Sequence, residues 1–406
     1  MVNEGLNLPL FFGLSHMGQV FSSCWSVKIG ACYVFDTNES LLRSFKNRKF
    51  TSEEPNLKKL KTNNIKILKN FQQITDFKYI FFTVDTELDA KNGEAKLSYI
   101  YLNLKKILNL NFKRKTYLII SSQINPEFFN KIKNTIRINE NIKIFYLVDT
   151  LQMGNSIDKF LNPYQIIIGG EKKEKNNILE IFKKFKSKKI YLKIEEAIII
   201  KMAINIYLSF SVTFANIIDN LSRLYHSNYS NIAKVLKNDQ RIGCNAYINP
   251  SLGFSGGHLE RDLFFLYKIT KNKDVRSIIK NIIRLNNRAI DKINDNPLFK
   301  SNKVIRTLVV GKSYKKNSFS LVNSVFKKMN KKYKITFFDD IFDIYEDPKR
   351  KLYEAIKNKD LIIYHYSSIL IKNEILNFSK KNSIKVLNIS KKKISVKNNK
   401  NLINVF

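Results

Sequence analysis

The chain has 406 residues, which at about 150 residues per domain predicts two or three domains. Hydrophobic residues make up 44% and aromatic residues 12% of the sequence, which is enough for sizeable cores and excludes a wholly disordered chain. The formal net charge of +37 raises nucleic acid and anionic membranes as partners to be weighed.

In the first half of the chain, short apolar runs alternate with amphipathic stretches. The apolar runs predict buried strands at Leu10–Phe12, Cys32–Phe35, Tyr79–Val84, Tyr117–Ser121, Ile144–Leu147 and Gln165–Ile168. Helical patterns such as Leu97–Leu108 lie between several of them. This alternation is typical of a parallel, doubly wound α/β sheet.

The second half begins after a lysine-rich polar stretch at residues 171–189, where we expect the first domain to end. From about 194 to 290 the pattern is helical, led by a long apolar segment from Glu196 to about Tyr225. Alternation then resumes in a smaller α/β unit, with strands predicted at Ile305–Val310, Lys334–Phe338, Asp360–Tyr364 and Ile384–Leu387. The tail from Lys391 is basic, and we expect it to be weakly structured.

The positive charge follows the overall composition rather than one basic tract. Lysine, asparagine, isoleucine, phenylalanine and tyrosine, all read from AT-rich codons, are abundant, and the lysines lie in short runs such as Lys183-Lys184. We interpret the charge as compositional drift with a solvated lysine surface, and we expect no specific nucleic-acid partner. An evolved polyanion site is the alternative.

No membrane segment is expected. The most apolar long segment, residues 194–221, contains Lys201, Asn205, Asn216 and Asp219, which would be costly in lipid, so it predicts a buried helix. The first residues lack the basic start of a secretory signal. The three cysteines cannot form a disulfide framework and lack the spacing of a zinc site. We therefore expect a soluble, cytoplasmic protein with no metal.

A glycine-containing turn, Gly13-Leu-Ser-His-Met-Gly18, follows the first strand and opens onto an apolar helix face. Its G-x-S-x-x-G frame matches the dinucleotide-binding G-x-G-x-x-G except at the middle glycine. The first glycine makes the tight turn, and the third lets the helix pack closely with its N-terminus facing the phosphates. Ser15 adds a side chain where the backbone approaches the pyrophosphate, so we expect weakened but retained binding.

An acidic residue follows the glycine turn by about twenty residues. Asp36 ends the strand Cys32–Phe35, where a carboxylate accepts the ribose hydroxyls of NAD and repels the extra phosphate of NADP. Strand, loop, helix, strand and acid in this order predict NAD as the cofactor. A plain βαβ turn with Asp36 as a helix N-cap is the alternative.

Further motifs follow along nearly the whole chain. They are Glu54-Pro55-Asn56-Leu57, Val84-Asp85-Thr86, Ser121-Ser122, residues 162–169, Glu196-Ala197 with Lys201, Asn205 and Asn216, Asp239-Gln240-Arg241-Ile242-Gly243, the glycine-rich loop Pro250–Asp262, Gly311 with Ser313-Tyr314-Lys315, and Phe338-Asp339. Together with the glycine turn and Asp36, they resemble the nucleotide-sugar dehydrogenase family, the UDP-glucose/GDP-mannose 6-dehydrogenases.

The resemblance implies a three-part protein that acts on a nucleotide sugar, most simply a UDP-sugar, and forms a homodimer through its central helix. The implied parts are a Rossmann-like NAD-binding domain at 1–190, a helical dimerisation domain at 191–295 and a smaller nucleotide-sugar-binding α/β domain at 296–406. Family members oxidise the sugar's C6 alcohol to the acid and reduce two NAD, trapping the aldehyde on a cysteine.

The resemblance also assigns roles to individual residues. The expected cofactor-binding residues are Gly13, Ser15, Gly18, Asp36, Thr86 and Ser122. The expected substrate-binding residues are Arg241, Gly253, Phe254, Gly256, Gly257 and Lys315. The two cationic side chains match pyrophosphate and sugar hydroxyls, and the glycines let the backbone wrap the sugar, while Phe254 packs on the ligand or fills the core.

This sequence departs from the family pattern at the reaction centre. His258 stands where the family has its cysteine, and an imidazole is a poor trap for an aldehyde. Where the family carries two acids before its helical domain, this chain has Asp149 and Met153, and Ile198 replaces a glutamate of the central helix. Val322 stands at a family arginine, and Arg261 conservatively replaces the loop lysine. The full four-electron oxidation is therefore in doubt.

Four candidate catalytic residues remain. Lys201 and Asn205, at i and i+4, share one helix face and could orient a hydroxyl or stabilise the negative charge that develops on an oxygen. The alternative is a lysine that extends from the dimer helix to solvent and has no catalytic role. Asp262 orients Lys201 or a water, or merely caps a helix at Leu263–Lys271. His258 is a general base for one alcohol oxidation, or a loop histidine without chemistry.

Three hypotheses follow. The first is an NAD-dependent nucleotide-sugar oxidoreductase of polysaccharide or glycoconjugate precursor synthesis, limited to one two-electron step or a rerouted oxidation. The second is a non-catalytic relative that binds nucleotide sugar and partners an active paralogue. The third is a basic scaffold for polyanions, which salt-sensitive binding to arbitrary nucleic acid would support.

Overall fold

The computed structural model describes residues 7–52, 54–88, 95–152, 154–254, 257–288, 305–311, 334–340, 345–365, 367–390, 394 and 399–404. The chain divides into two compact units, residues 1–89 with 95–204 and residues 90–94 with 205–406. The division into three functional domains stays a prediction.

The first unit is built on one eight-stranded sheet. Its strands are β1 (Leu10–Phe12), β2 (Cys32–Phe35), β3 (Ile65–Ile67), β4 (Tyr79–Phe82), β5 (Thr116–Ile120), β6 (Ile142–Leu147), β7 (Gln165–Gly169) and β8 (Lys188–Leu192). They lie in the order β3-β2-β1-β4-β5-β6-β7-β8, and every neighbouring pair is parallel except β6 with β7. The chain order reverses between β1 and β4, which is the topological switch point where doubly wound sheets bind their ligands.

Helices cover both faces of this sheet, so its central strands are buried and almost wholly apolar. The helices are α1 (His16–Lys28), α2 (Glu39–Lys46), α3 (Leu97–Leu108), α4 (Pro126–Thr135), α5 (Ser156–Leu161) and α6 (Lys175–Leu179), with short 3-10 turns at Leu57–Lys59, Phe71–Asp76, Lys172–Glu174 and Glu180–Phe182. Local chemistry fixes their starts: Asn125 caps α4 through the Phe128 N–H at 2.7 Å, and Pro126 takes the first helical position.

Six further helices and five strands are described beyond the first unit's elements. The helices α7 (Ile194–Leu224), α8 (Tyr229–Asn238), α9 (His258–Ile269) and α10 (Lys273–Arg288) come first, and α7 begins in the first unit. A second sheet follows, with β9 (Arg306–Val310), β10 (Lys334–Phe338), β11 (Leu361–Tyr364), β12 (Lys385–Asn388) and β13 (Leu402–Asn404), and with α11 (Pro348–Ile356) and α12 (Ile369–Asn382). Its order is β10-β9-β11-β12-β13, all parallel.

The predicted fold class is confirmed: a Rossmann-like parallel sheet, a helical region and a smaller C-terminal α/β sheet follow one another. Each predicted strand coincides with an observed one to within two residues. The prediction missed β3 and β8, which contain lysines that hide their apolar pattern, and it was wrong about the tail, because β13 pairs with β12 through Leu402 and Val386.

The helix α7 is long and apolar enough to cross a membrane by length and composition alone. Asn205, Asn216 and Asp219 on it are nevertheless buried within the protein. Buried amide and carboxylate groups at these positions fit the core helix of a soluble protein better than a lipid-facing span.

The only tryptophan lies at the centre of an aromatic cluster in the first unit. Trp25 on α1 is 1% exposed, and its ring packs at 5.7 Å from Phe11, 5.3 Å from Phe81 and 6.3 Å from Phe182, measured between ring centroids. These contacts join α1 to the strands β1 and β4, between which the glycine turn lies.

We expect Trp25→Ala to lower the free energy of unfolding by about 3–5 kcal/mol, because it leaves a large cavity in this cluster. Trp25→Phe should cost less, since the ring contacts are largely kept. Urea unfolding followed by circular dichroism measures both. Val27→Ala, on the same helix but 49% exposed, is the control and should change stability by no more than about 0.5 kcal/mol.

Candidate active site

The glycine turn lies at the switch point of the first sheet, between the ends of β1 and β4. Gly13 has φ +103°, and a Cβ at this position would lie 2.7 Å from the backbone nitrogen of Val84. The Gly13 N–H donates to the carbonyl of Phe35 at 2.8 Å, which ties the turn to β2. Only glycine fits a backbone that is both left-handed and this close to its neighbour.

Gly18 lets the start of α1 pack against the turn. A Cβ on Gly18 would lie 1.7 Å from the carbonyl oxygen of Gly13 and 2.9 Å from the hydroxyl oxygen of Thr83. That same hydroxyl donates to the Gly13 carbonyl at 2.8 Å. The helix N-terminus is therefore held directly over the turn, which is the geometry that dinucleotide phosphates need.

Ser15 is the N-cap residue of α1, but its hydroxyl does not cap the helix. The hydroxyl donates instead to the carbonyl of Thr83 at 2.8 Å. The side chain thus leans towards the end of β4 and leaves the first amides of α1 without a side-chain cap. This orientation explains how a serine can replace the middle glycine without its hydroxyl competing for the helix amides.

Asp36 is buried at the end of β2, with both carboxylate oxygens occupied by backbone donors. Oδ2 accepts from Leu14 N at 2.6 Å and Oδ1 from Asn38 N at 2.8 Å. Burial raises its pKa, and the two backbone hydrogen bonds work in the opposite direction. Asn38, not Asp36, caps α2, so the N-cap alternative is wrong. Each oxygen keeps a further lone pair that can accept a ribose hydroxyl.

Thr86 and Ser122 are buried on the segments that follow β4 and β5. The Thr86 hydroxyl donates to the carbonyl of Gln123 at 2.6 Å, and the Ser122 hydroxyl donates to the carbonyl of Val84 at 2.5 Å. These bonds join the two segments to each other. Both side chains thus shape the edge of the sheet beside the glycine turn, and their contact with the cofactor stays a prediction.

A buried glutamate organises the loops beside α1, and its role was missed from the sequence. Glu54 accepts from Gly154 N at 2.9 Å and from Ser156 N at 2.6 Å. His16 lies between the hydroxyls of Ser52 at 2.8 Å and Ser156 at 3.4 Å. Glu54 is part of the Glu54–Leu57 motif, but the motif alone does not indicate which backbone groups the carboxylate binds.

Asn56 in that motif has φ +66°, a left-handed conformation. The family pattern has glycine at this position, and asparagine is among the residues that tolerate this conformation best. The replacement therefore keeps the turn.

Lys201, on the first-unit part of α7, is directed towards Asp149. Its Nζ donates to the backbone carbonyl of Asp149 and lies 3.7 Å from the carboxylate Oδ2, and both side chains are largely buried. This contact couples the retained lysine to the shortened acid that replaces a family glutamate. The lysine is therefore held in place and is not a mobile surface side chain.

Asn205, on the second-unit part of α7, lies against the helix α9. Its Nδ2 donates to Oδ2 of Asp262 at 2.5 Å, and Arg261 Nε donates to Oδ1 of the same carboxylate at 3.2 Å. Asp262 is 0% exposed and Arg261 4%. A buried carboxylate needs such partners, because an unpaired charge in this environment is strongly destabilising. Asp262 is the fifth residue of α9, so the alternative of a helix N-cap at this position is wrong.

The helix α9 begins at His258, whose side chain is exposed. Gly257 caps it with φ +90°, and the Gly257 N–H donates to Oε2 of Glu260 at 3.3 Å. Among the residues that the structure describes, the other oxygen of Glu260, Oε1, is buried without a hydrogen-bond partner. Burial raises the pKa of Glu260 to about 7. The first turn of α9 thus carries a carboxyl group whose pKa lies near neutral pH, and the sequence analysis missed it.

Gly253 and Phe254 lie on the segment that precedes α9. Gly253 has φ +98°, and Phe254 is 3% exposed and packs among Val212, Leu263 and Ile282. Phe254 therefore fills the core of this unit, which is the second of the two roles considered for it. Gly256 lies outside the described residues.

Arg241 is exposed and paired with Asp239, with an Nη2–Oδ2 distance of 2.6 Å and an Nε–Oδ1 distance of 3.0 Å. Lys315, the other cation expected to contact the substrate, lies outside the described residues, as do Val322 and Met153. Substrate binding by Arg241 and Lys315 stays a prediction.

None of the three cysteines lies in the glycine-rich loop. Cys24 and Cys32 are buried on α1 and β2, and burial raises the pKa of both thiols, that of Cys24 to about 12. Cys244 is exposed, on the segment that follows the Asp239–Gly243 motif. The two buried thiols are held in the protonated form, which is unreactive as a nucleophile.

Comparison with known proteins places the chain in a family. Residues 10–186 match the NAD-binding domain of the UDP-glucose/GDP-mannose dehydrogenase family, and residues 195–288 match that family's central domain. Together these matches cover more than half of the chain. The protein therefore belongs to the UDP-glucose/GDP-mannose dehydrogenase family, as the sequence motifs predicted.

Several curated relatives are UDP-glucose 6-dehydrogenases. The enzyme of Rickettsia bellii is 29% identical over 55% of this chain, and the alignment spans 53% of that protein, about half its length. The enzyme of Campylobacter jejuni is 24% identical over 87% of this chain and 84% of its own length.

Solved structures share the fold. A UDP-glucose dehydrogenase from Pyrobaculum islandicum superposes with a TM-score of 0.79 at 17% identity, covering 100% of this chain and 98% of that one. The UDP-N-acetyl-mannosamine dehydrogenase of Staphylococcus aureus gives 0.74 at 17% identity, covering 98% and 97%. Since the chain carries the family's NAD-binding domain, the prediction of NAD as cofactor is confirmed.

The glycine turn yields a direct prediction about NAD. Gly18→Ala should weaken NAD binding by at least about tenfold, because its Cβ forces α1 away from Gly13 and displaces the phosphate-facing amides. Ser23→Ala, a small change in a buried position of the same helix, should leave affinity unchanged. Titration calorimetry with NAD measures both, and equal affinities would contradict the assigned phosphate site.

Glu260 yields a prediction about pH. Because its folded pKa is raised from 4.5 to about 7, its contribution to stability is present at low pH and is lost as pH rises between these values. Glu260→Gln should therefore stabilise the protein at pH 8 by about 1–3 kcal/mol and have little effect at pH 4. Urea unfolding at several pH values measures this. Glu180→Gln, which changes an exposed carboxyl, is the control, and a parallel pH profile for the two variants would contradict the assignment.

Proposed function

We propose that this protein is an NAD-dependent dehydrogenase that oxidises the C6 alcohol of a nucleotide sugar, most simply a UDP-sugar, in one two-electron step. Such a product would serve the synthesis of polysaccharide or glycoconjugate precursors. The observation that carries the proposal is the retained, buried pairing of Asn205 with Asp262, together with Lys201 one turn earlier on α7. These are the groups expected to hold the reacting oxygen.

The cofactor site supports this reaction. Gly13 and Gly18 leave room where a Cβ would collide with backbone, and Asp36 stands where the ribose hydroxyls of NAD are expected. When bound, NAD supplies the hydride acceptor. The residues of the turn therefore bind the phosphates and orient the cofactor, and Asp36 selects against the additional phosphate of NADP.

The chain's own residues would manage the proton and the oxygen. As the hydride leaves C6, the hydroxyl proton must pass to a base, and the products are the aldehyde, NADH and one proton. Lys201 and Asn205 would donate hydrogen bonds to the oxygen and stabilise its developing negative charge. His258, exposed at the start of α9, is the candidate base. Asp262 would orient Asn205, since it accepts from the amide nitrogen.

The second oxidation is where the proposal departs from the family. That step needs a thiolate to trap the aldehyde as a thiohemiacetal and then to leave from a thioester. His258 occupies the thiol's position, and Cys24 and Cys32 are buried elsewhere. We therefore propose that the reaction stops at the aldehyde, or at its hydrate.

A non-catalytic relative that binds nucleotide sugar and partners an active paralogue is the second candidate. The observation that favours it is the loss of acids around the reaction centre: Ile198 and Met153 replace two, and Asp149 is engaged by Lys201. A lysine held by an acid can be a structural support as well as a catalytic group. Binding without turnover would distinguish this candidate from the first.

The long helix α7 also supports the proposed homodimer. Apolar side chains recur at intervals of three and four residues along one face and are exposed, which is typical of a helix that packs against another chain. They are Tyr207 (63% exposed), Phe210 (40%), Phe214 (43%), Ile217 (46%), Leu221 (49%) and Leu224 (71%). A second copy of this chain would cover this stripe. We propose a soluble, cytoplasmic dimer.

NADH formation tests the catalytic proposal. With NAD and a panel of UDP-, GDP- and dTDP-sugars, we expect absorbance at 340 nm to rise with at least one UDP-sugar. Lys201→Ala should lower kcat by about a hundredfold or more, because it removes stabilisation made in the transition state. Cys244→Ser is the matched control and should leave the rate unchanged. If no sugar gives NADH while one raises the melting temperature, the non-catalytic candidate is correct.

The dimer has its own test. Phe214→Glu should convert the dimer to monomer, because it places a charge in the centre of the apolar stripe. Leu102→Glu, at a 55% exposed position on α3, should leave the dimer intact. Sedimentation velocity measures both. A wild-type protein that sediments as a monomer at micromolar concentration would rule out the dimer.

A further inference from the structure

Residues 251–254 run between α8 and α9 without helix or strand geometry, yet most of them are buried. Ser251 is 2% exposed, Leu252 6% and Phe254 3%. Buried backbone outside regular structure needs partners for its N–H and C=O groups, because unpaired groups are costly there. In this segment, two buried asparagines from neighbouring helices supply them.

Asn216 on α7 holds the beginning of the segment. Its Oδ1 accepts from the Ser251 N–H at 2.9 Å, and Asn216 itself is 8% exposed. The Ser251 hydroxyl then bonds both the N–H and the carbonyl of Gly253, each at 3.2 Å. This first contact fixes where the segment leaves the surface of α7.

Asn286 on α10 holds the end of the segment at two points. Its Oδ1 accepts from the Phe254 N–H at 2.7 Å, and its Nδ2 donates to the Phe254 carbonyl at 2.9 Å. One planar amide thus satisfies both backbone groups of a single residue, as a neighbouring strand would. Asn286 is 4% exposed. Aspartate could accept but not donate in this place, and alanine could do neither.

Gly253 is matched to this asparagine. It has φ +98°, and a Cβ on it would lie 2.3 Å from Oδ1 of Asn286. The backbone of the segment and the amide therefore approach more closely than any other residue type would allow. Three residues after Phe254, Gly257 is the N-cap of α9, whose first residue is His258 and whose fifth is the buried Asp262. The segment is thus fixed at both ends.

We propose that Asn286, assisted by Asn216, is the positioning residue of the nucleotide-sugar-binding loop. It acts through the backbone of Phe254 and does not itself contact substrate. With Asn216 bound to Ser251 and Asn286 bound to Phe254, the two asparagines fix the backbone of residues 251–254, a described part of the glycine-rich loop. The inference rests on the proposed function, because it assumes that this loop receives the sugar. It extends that function by assigning the positioning of the loop backbone to a helix outside the loop.

Steady-state kinetics with NAD and the sugar that wild type oxidises best provide the test. For Asn286→Ala we expect kcat/KM for the nucleotide sugar to fall by about tenfold to a hundredfold, because small displacements of positioned groups cost this much. The KM for NAD should stay within about twofold of wild type. Asn216→Ala removes only one acceptor, so it keeps the test valid if Asn286→Ala does not fold. It should lower kcat/KM for the nucleotide sugar by a smaller factor and also leave the KM for NAD within about twofold of wild type.

Asn103→Ala is the matched control. Asn103 is 3% exposed on α3 of the first unit and donates to the Tyr99 carbonyl at 2.9 Å, so its loss also removes a buried amide. It should lower thermal stability without changing the KM for the sugar. An Asn286→Ala protein that loses stability like this control and keeps its sugar kinetics would overturn the inference while leaving the proposed function intact. Wild type that neither binds nor oxidises any nucleotide sugar would overturn both.

Discussion

The buried carboxylate of Asp262 imposes the constraint on which the candidate catalytic residues of the second unit depend. A carboxylate with no exposure to water requires a charge partner and hydrogen bonds, and here Arg261 supplies the charge while Asn205 supplies a donor at 2.5 Å. Removing any of the three would leave a buried group without its partner. The hydrogen bond between Asn205 and Asp262 joins α7 to α9 at this point.

The groups of the family pattern that this chain lacks serve a different part of the reaction. The family cysteine, two acids and one arginine have been replaced by His258, Met153, Ile198 and Val322, none of which repeats the lost chemistry. The cofactor turn, by contrast, keeps Gly13 and Gly18, where a Cβ would collide with neighbouring atoms, and its one substitution, Ser15, directs its hydroxyl to a carbonyl. Hydride transfer needs the retained groups, which are the cofactor turn with Lys201, Asn205 and Asp262. Thioester chemistry needs the family cysteine and the charged residues around it, which this chain lacks. This division is the physical basis for proposing a shortened oxidation.

Much of the fold could be read from the sequence, because the strands of a doubly wound sheet are continuous apolar runs. β1 and β2 were predicted to the residue, as was the helix α3. β3 and β8 were missed because lysines interrupt them, and β13 was missed because three residues of a basic tail carry too little pattern. Short strands of this kind form because they pair with an adjacent strand of the sheet, and the local sequence pattern does not show that pairing.

The site was predictable in kind but not in its contacts. The motifs single out Asn205 and Asp262, and the structure joins them, but the sequence pattern predicts that Asp262 orients Lys201 or a water, or caps a helix. The roles of Glu54, Glu260 and Asn286 depend on which backbone groups lie beside them after folding. A buried amide or acid looks like any other polar residue in a sequence, so long-range partners of this kind escape pattern reasoning.

The electron count is the most direct test of the central claim. Wild-type protein, NAD and the accepted nucleotide sugar should be taken to completion, with NADH measured by absorbance and the sugar product identified by mass spectrometry after trapping with a hydroxylamine. We predict one NADH for each sugar consumed and an oxime derived from the C6 aldehyde. Two NADH for each sugar, with a uronic acid as product, would contradict the account and show that the second oxidation proceeds without a cysteine in the glycine-rich loop.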